Sequence, residues 1–265
     1  MIEALLNLDE AVFHRSLCWI IIISGAFTLV TLLLGITAPY GRYSTQHGWG
    51  PLVPARVAWM VMESPNLYIS AFFFYFAADR NEEAVGSTTN RILLAMFVLH
   101  YINRAIIYPL RTQGRPMPLT VMLLAFMFCS VNGYLQARAL TKFEVYGNEE
   151  WLSARVLIGV AVFVLGWLIN YDADSTLLSL RKGPTDKGYY IPRGRLFEFI
   201  SAPHFFGEIV EWTGYAIACS SLPGTSFALF TASNIGPRAL QHHQWYLRKF
   251  EDYPAQRKAL IPFLL

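Results

Sequence analysis

From Ser16 to Gly41 the chain carries no charged side chain, and most of that run is apolar. A helix needs about 20 mostly apolar residues to cross the hydrocarbon core of a bilayer, so a first span is expected near Leu17–Ile36. The pattern repeats. Val57 to Ala78 holds one charge, Glu63, beside the helix-breaking Ser64-Pro65, and a third run near Arg91 to Leu110 contains Arg104. Pro116 to Ala137 is charge-free, Ala154 to about Asp172 makes a fifth segment, Phe205 to Leu222 a sixth, and Phe227 to about Tyr246 a seventh after Pro223-Gly224. The expectation is an all-α, polytopic transmembrane bundle of seven helices, without internal repeat, forming a single integral membrane domain over residues 1–265.

Seven spans put the termini on opposite sides, and lysine and arginine set the orientation. The N-terminal side takes Arg15, Arg80, Arg91, Arg138, Lys142 and Arg155, and the other side takes the remaining 15 of the 21 basic residues. The N-terminus is therefore expected outside the cytoplasm and the C-terminus within it. Residues 1–15 lack the basic start of a signal peptide, so the first run is expected to be retained as a span. The expected location is a multi-pass position in the inner membrane of a bacterium or the endoplasmic reticulum of a eukaryote.

Only 15% of residues are charged, against about 25% for an ordinary soluble domain, and the net charge of +3 shows no basic cluster of the kind nucleic acid requires. Cys18, Cys129 and Cys219 sit far apart in apolar runs and form neither a disulfide framework nor a zinc site. No GxGxxG follows a strand, since Gly48-x-Gly50 runs into Pro51; HExxH and GxSxG are absent, and six scattered histidines make no di-iron box. No metal and no nucleic acid are expected. Any nucleotide would bind between the transmembrane helices.

Charges inside apolar helices are expensive and face a bundle interior or a wet cavity. Tyr101, Arg104, Tyr108 and Arg111 fall on one helical face, with Arg115 just beyond, and form either an interfacial anchor or an anion-binding wall. Asn170, Asp174 and Arg181 share another face, as a solvated helix end or as groups for a ribose and a phosphate. Glu208 and Glu211 stand one turn apart, requiring partners or protons, and Glu63 is a second carboxyl that an apolar site could keep neutral as a hydrogen-bond donor. His242, Tyr246 and Lys249 share a face at the end of the last helix. Trp59, Phe72, Phe73, Phe74, Phe126 and Phe128 either line a pocket for a flat lipid-like ligand or simply pack and face lipid.

Several stretches together resemble the steroid 5α-reductase family from about Pro39 to Leu265. They are Pro39-Tyr40-Gly41, Ala58-Trp59 through Glu63, His100-Tyr101 through Arg104, Gly114-Arg115-Pro116, Asn170 to Arg181 and Gly207-Glu208-Ile209-Val210-Glu211-Trp212. The C-terminal run is the most specific: His242-His243, Tyr246-Leu247, Phe250-Glu251-Asp252-Tyr253-Pro254 and Arg257-Lys258-Ala259-Leu260-Ile261-Pro262-Phe263.

The resemblance implies a monomeric membrane enzyme that uses NADPH to saturate the Δ4 double bond of a 3-oxo-Δ4 steroid. The family's catalytic Gln-Glu pair and Tyr fall on Met62-Glu63 and Tyr101, with Met62 in place of the glutamine. NADPH contacts are implied at Tyr40, Arg104, Tyr108, Arg115, Asn170, Asp174, Arg181, His204, Glu208, His242 and Tyr246, most of them within about 115–265, and substrate contacts at Trp59, Met62 and Glu211. Gln113 and His204 stand where the family usually has arginine and asparagine, a loss that Arg111 could offset. Other readings of the same features are reduction of an enoyl thioester or polyprenol, an isoprenylcysteine-type methyltransferase using S-adenosylmethionine, and a non-catalytic lipid carrier.

Overall fold

The computed structural model describes residues 9–37, 39, 41–43, 49–181, 183, 186 and 188–265. Its elements are α1 (Glu10–Leu33), α2 (Ala55–Glu63), α3 (Pro65–Tyr75), α4 (Glu82–Gly86), α5 (Thr88–Ile102), α6 (Tyr108–Arg111), α7 (Leu119–Arg138), α8 (Ala154–Ser179), α9 (Pro203–Cys219) and α10 (Leu222–Lys249). One antiparallel ribbon accompanies them, pairing Leu52 with Pro118 and Val53 with Met117. It ties the segment before α2 to the start of α7. Two π-helical turns, Asn103–Ile107 and Ala139–Phe143, join α5 to α6 and extend α7.

Four helices among the described residues are long and apolar enough to cross a membrane: Glu10–Leu33, Thr88–Arg111, Leu119–Phe143 and Ala154–Ser179. On α1 the large apolar side chains of Trp19, Ile23, Phe27 and Val30 point outward, with Phe27 70% exposed. A soluble helix would turn that face to the core; this one turns it to lipid. The chain is a polytopic membrane helical protein.

The other three expected spans take a different form. The second is divided by Pro65, which opens α3 and cannot donate to the turn before it, leaving helices of 9 and 11 residues. The sixth, α9, has 17 residues, and the seventh, α10, has 28 but carries Arg238, Gln241, His242 and His243 in its second half.

The tightest packing joins α8 to α9. A Cβ on Gly166 would sit 2.2 Å from the Glu211 nitrogen, on Gly207 2.5 Å from the Asn170 nitrogen, on Gly214 2.2 Å from the Phe163 nitrogen and on Gly159 2.5 Å from the Ala218 nitrogen. Both pairs of glycines are seven residues apart, so they form a seam of bare backbone on each helix, the way membrane helices approach closely. Beside the seam, and sharing Phe163 with it, lies an aromatic core of Phe97, Tyr101, Phe163, Trp212, Tyr215 and Phe227.

The C-terminal motif folds back under the bundle. Ser201 Oγ lies 2.7 Å from both His243 Nδ1 and Tyr253 Oη, the rings of Tyr246 and Tyr253 stack 5.1 Å apart, and buried Arg257 donates to the Pro192 carbonyl at 2.9 Å. This stretch anchors the end of α10.

Candidate active site

The helices enclose a cavity of about 770 Å³. Glu63 enters from the end of α2, just before the Pro65 break, and Met62 and Trp59 line the wall beside it. Tyr101 comes from the last turn of α5. Its hydroxyl accepts a 3.3 Å hydrogen bond from the Asn132 amide of α7, which leaves its own hydrogen for the cavity. Asn132 is held in turn: its oxygen accepts from the Gln136 amide at 3.2 Å, and Gln136 also donates to the Pro223 carbonyl. Tyr101 and Glu63 face the same space but are not hydrogen-bonded to each other; the Glu63 carboxylate lies 3.4 Å from Cys129 Sγ.

Arg104, Tyr108, Asn170, Asp174 and Glu208 form a second wall. Arg104 donates to Asp174 at 3.2 Å, approaches Glu208 at 4.0 Å and lies over the rings of Trp59 and Tyr108. The Asn170 amide donates to the His204 carbonyl at 2.9 Å and to Glu208 at 3.4 Å. These contacts depend on the glycine seam, because Asn170 and Glu208 belong to α8 and α9 and meet only where those backbones touch. Arg181 lies two residues past α8 and donates to the Gln113 carbonyl. Arg115, His204, His242 and Tyr246 also line the cavity.

Two expectations come out differently, and a third is not reached. Tyr40 lies outside the described residues. Glu211 is fully buried and does not line the cavity; its Oε1 lies 2.6 Å from His100 Nδ1, so it sits behind His100, which does line it. The two carboxylates of α9 are one turn apart but take separate partners, His100 for Glu211 and Asn170 with Arg104 for Glu208. Arg111 does not line the cavity with Tyr101, Arg104 and Tyr108; a π-helical turn at Asn103–Ile107 separates its helical turn from that of Tyr101. Arg111 bonds Ser175 at 2.8 Å and covers the Tyr171 ring. Of the aromatic candidates, Trp59 and Phe128 line the cavity, while Phe72 is exposed.

Sequence reading missed His100, Asn132 and Arg42. Arg42 ends the first uncharged run, which was its only signal. Its guanidinium lies 4.5 Å from the Trp245 ring and 4.8 Å from that of Tyr246, and shares the Tyr189 ring with Arg115.

The lining fits a polyanionic dinucleotide. Among the described residues it holds five arginines (Arg42, Arg104, Arg115, Arg181, Arg238) against three carboxylates (Glu63, Asp174, Glu208), so net positive charge faces the cavity. Arg42 Nη1, Tyr43 Oη, His204 Nδ1 and His242 Nδ1 are buried without a partner, clustered at one end and available to a ligand's oxygens. No cluster of three or more metal-ligating side chains occurs among the described residues.

The profile of the family described as 3-oxo-5-alpha-steroid 4-dehydrogenase matches residues 115–265. A 3-oxo-5-alpha-steroid 4-dehydrogenase 1 from Rattus norvegicus is 47% identical over 91% of each chain. The chain belongs to the steroid 5α-reductase family. Two more relatives show the breadth of the family likeness. The human 3-oxo-5-alpha-steroid 4-dehydrogenase 1 is 50% identical over 80% of this chain and 81% of its own, and a steroid 5-alpha-reductase from Arabidopsis thaliana is 40% identical over 97% and 99%. Steroid 5α-reductases are oxidoreductases acting on a carbon–carbon bond, and membership makes this chain an enzyme of that type.

Proposed function

We propose that this enzyme reduces the Δ4 double bond of 3-oxo-Δ4 steroids to the 5α-reduced 3-oxo products, with NADPH as cofactor. The observation that carries this is the meeting of Tyr101 and Glu63 with an arginine-rich wall in a single cavity between apolar helices. Arg104, Tyr108, Arg115, Asn170, Asp174, Arg181, His204, Glu208, His242 and Tyr246 would hold the cofactor. When bound, NADPH would supply a hydride for the β-carbon of the enone, and a proton from solvent would complete the reduction at the α-carbon.

The protein's part is alignment and charge stabilisation. Tyr101, oriented by Asn132, donates a hydrogen bond to the 3-ketone oxygen, where negative charge develops as the double bond is reduced. Glu63, protonated, aims a second donor at the same oxygen from α2. Trp59 and Met62 shape the apolar floor under the steroid, where the family's glutamine would add a polar contact. Exclusion of water strengthens each of these interactions.

The full topology is part of the proposal: seven spans, with α2–α3 together, α9 and α10 completing the four long helices, the N-terminus outside and the C-terminus in the cytoplasm. The cofactor then enters from the cytoplasmic end of α10. The whole chain acts as one unit in the inner membrane or endoplasmic reticulum, and a monomer suffices because one chain lines the site.

Tyr101→Phe tests the assignment. With NADPH and a 3-oxo-Δ4 steroid, turnover of the purified enzyme should fall about 10²–10³-fold, the usual loss for one oxyanion donor. Near-normal turnover would show that another group polarises the ketone.

A further inference from the structure

The cavity has two chemically different sides. The wall from α5, α8 and α9 is charged, as Arg104, Asp174 and Glu208 show. The opposite wall, from α1, α7 and α10, is apolar: Leu124, Phe128, Phe227 and Phe230 line it, with the rings of Phe128 and Phe230 stacked 4.3 Å apart. The flat hydrocarbon of a steroid belongs against that second side.

Within the apolar stretch of that wall, up to Asn234, the polar side chains are Thr28, Thr231 and Asn234; Arg238, Gln241, His242 and Tyr246 follow on α10 toward the cofactor end. Thr28 donates its hydroxyl hydrogen to the Ser24 carbonyl at 2.8 Å. Thr231 and Asn234 have no side-chain hydrogen bond among the described residues, although a helical threonine can readily use the carbonyl one turn back. Thr231 is buried and Asn234 half-buried, and with no internal partner both are available to a ligand.

Their place along the site follows from helix geometry. A Cβ on Gly25 of α1 would lie 3.2 Å from the Phe230 Cα, and the Gln241 amide donates to the carbonyls of Leu32 and Ile36. Contacts therefore advance in the same direction along both helices, and Thr28 stands level with the turn holding Thr231 and Asn234. Phe227 belongs to the same packed cluster as Tyr101, through Trp212, whose ring is 4.4 Å from its own. Asn234 is two turns further along α10, about 10 Å at 1.5 Å per residue, which is on the order of the length of a four-ring steroid nucleus.

We propose that Asn234, with Thr231 beside it and Thr28 opposite, recognises a hydrogen-bonding oxygen at the end of the steroid remote from its 3-ketone. The preferred substrates are then 3-oxo-Δ4 steroids bearing a hydroxyl or carbonyl at that end, and not those that end in bare hydrocarbon. The carboxamide can donate to a carbonyl or accept from a hydroxyl, so it serves either. A hydrocarbon end would strip it of water and leave it unpaired, which is how a site built to hydrogen-bond rejects the analogue that lacks the group. This inference rests on the enone-reductase reading of the site.

The test compares kcat/KM, with NADPH saturating, on two 3-oxo-Δ4 steroids that differ only in having or lacking a 17-hydroxyl. The wild-type enzyme should favour the hydroxylated member about tenfold or more, and Asn234→Leu should lose most of that preference, chiefly through KM, without raising the KM for NADPH. Thr231→Val is nearly isosteric and should lose a smaller part, giving a second reading if Asn234→Leu folds poorly. A wild-type enzyme indifferent to the hydroxyl, or a preference retained in both variants, overturns the proposal. So does a higher KM for NADPH in Asn234→Leu, which would assign the carboxamide to the nicotinamide. Reduction of neither steroid by the wild type would sink the reductase reading itself, a result distinct from equal reduction of both.

Discussion

His100 and Glu211 show how a single buried contact supports the site from behind. Glu211 is 0% exposed and His100 2%, and their only close polar contact is the 2.6 Å one between them, with Glu211 Oε2 left unpartnered. His100 precedes Tyr101 in the chain and packs its ring 4.5 Å from Trp212 and 5.0 Å from Tyr101, so it fixes the wall that carries the tyrosine. Removing one member of a buried pair strands the other. His100→Phe should therefore destabilise the protein by about 1–3 kcal/mol, read as a lower Tm in detergent. Adding Glu211→Leu to it should recover much of that loss, because the stranded carboxyl goes as well. A double variant no more stable than His100→Phe would show that the pair is not the source of the effect. Nothing in the sequence separates Glu211 from Glu208: both are glutamates on one apolar helix, and their roles differ in the partner each meets, His100 for Glu211 and Asn170 with Arg104 for Glu208.

The glycine seam between α8 and α9 does the corresponding work for whole elements. Gly159, Gly166, Gly207 and Gly214 allow two backbones to touch, and that contact alone brings the Asn170 amide to the His204 carbonyl and to Glu208. At Gly214 even a methyl group meets the Phe163 backbone at 2.2 Å, and no side chain can move aside to admit it. Gly214→Ala should force the helices apart and destabilise by about 1–3 kcal/mol or more, with the Asn170–Glu208 wall opened and NADPH protection in a thermal melt reduced. A variant with wild-type Tm and undiminished NADPH protection would mean that the seam tolerates separation. The spacing of seven was present in the chain from the start. It becomes informative only once the two helices are known to be neighbours, since isolated glycines in apolar helices are common in membrane proteins.

At the scale of the molecule, a group of charges on the N-terminal side ties three remote parts together. Arg138 at the end of α7 donates to Glu10 of α1 at 2.7 Å and to Asp79, after α3, at 2.6 Å, and Lys142 reaches the same two carboxylates. The hydrogen bonds from Lys142 and Arg138 pull the Asp79 carboxyl down to about 2. A depressed carboxylate stabilises the fold fully above its unfolded value near 3.8, and the benefit is lost as pH falls through the folded one. Stability should thus be unaffected by this group between pH 7 and 5 and decline below about pH 4. Asp79 is well exposed, so solvent screening keeps its contribution small, under about 1 kcal/mol. Asp79→Asn should lower Tm slightly at pH 7 and lose its difference from wild type near pH 2; a difference that grew on acidification would contradict the sign. The ends of this clamp lie far apart in the chain.

The sequence by itself determined the class of protein, its family and the residues worth asking about. Uncharged runs imply helices in lipid because an unpaired backbone is intolerable there, and charges such as Glu63, Arg104, Asp174 and Glu208 are noticed because each is costly unless it has a partner. The shape of the cavity was decided only in three dimensions. The break at Pro65 was visible in the chain, but the π-helical turn between Tyr101 and Arg111 was not, because an added residue in a helical turn has no composition of its own. The same holds for Asn132 behind Tyr101, Glu211 behind His100 and the open carboxamide of Asn234. Periodicity assigns a residue to a face of its own helix, whereas the partner across the gap is set by how several helices pack at once, which is a property of the assembled bundle.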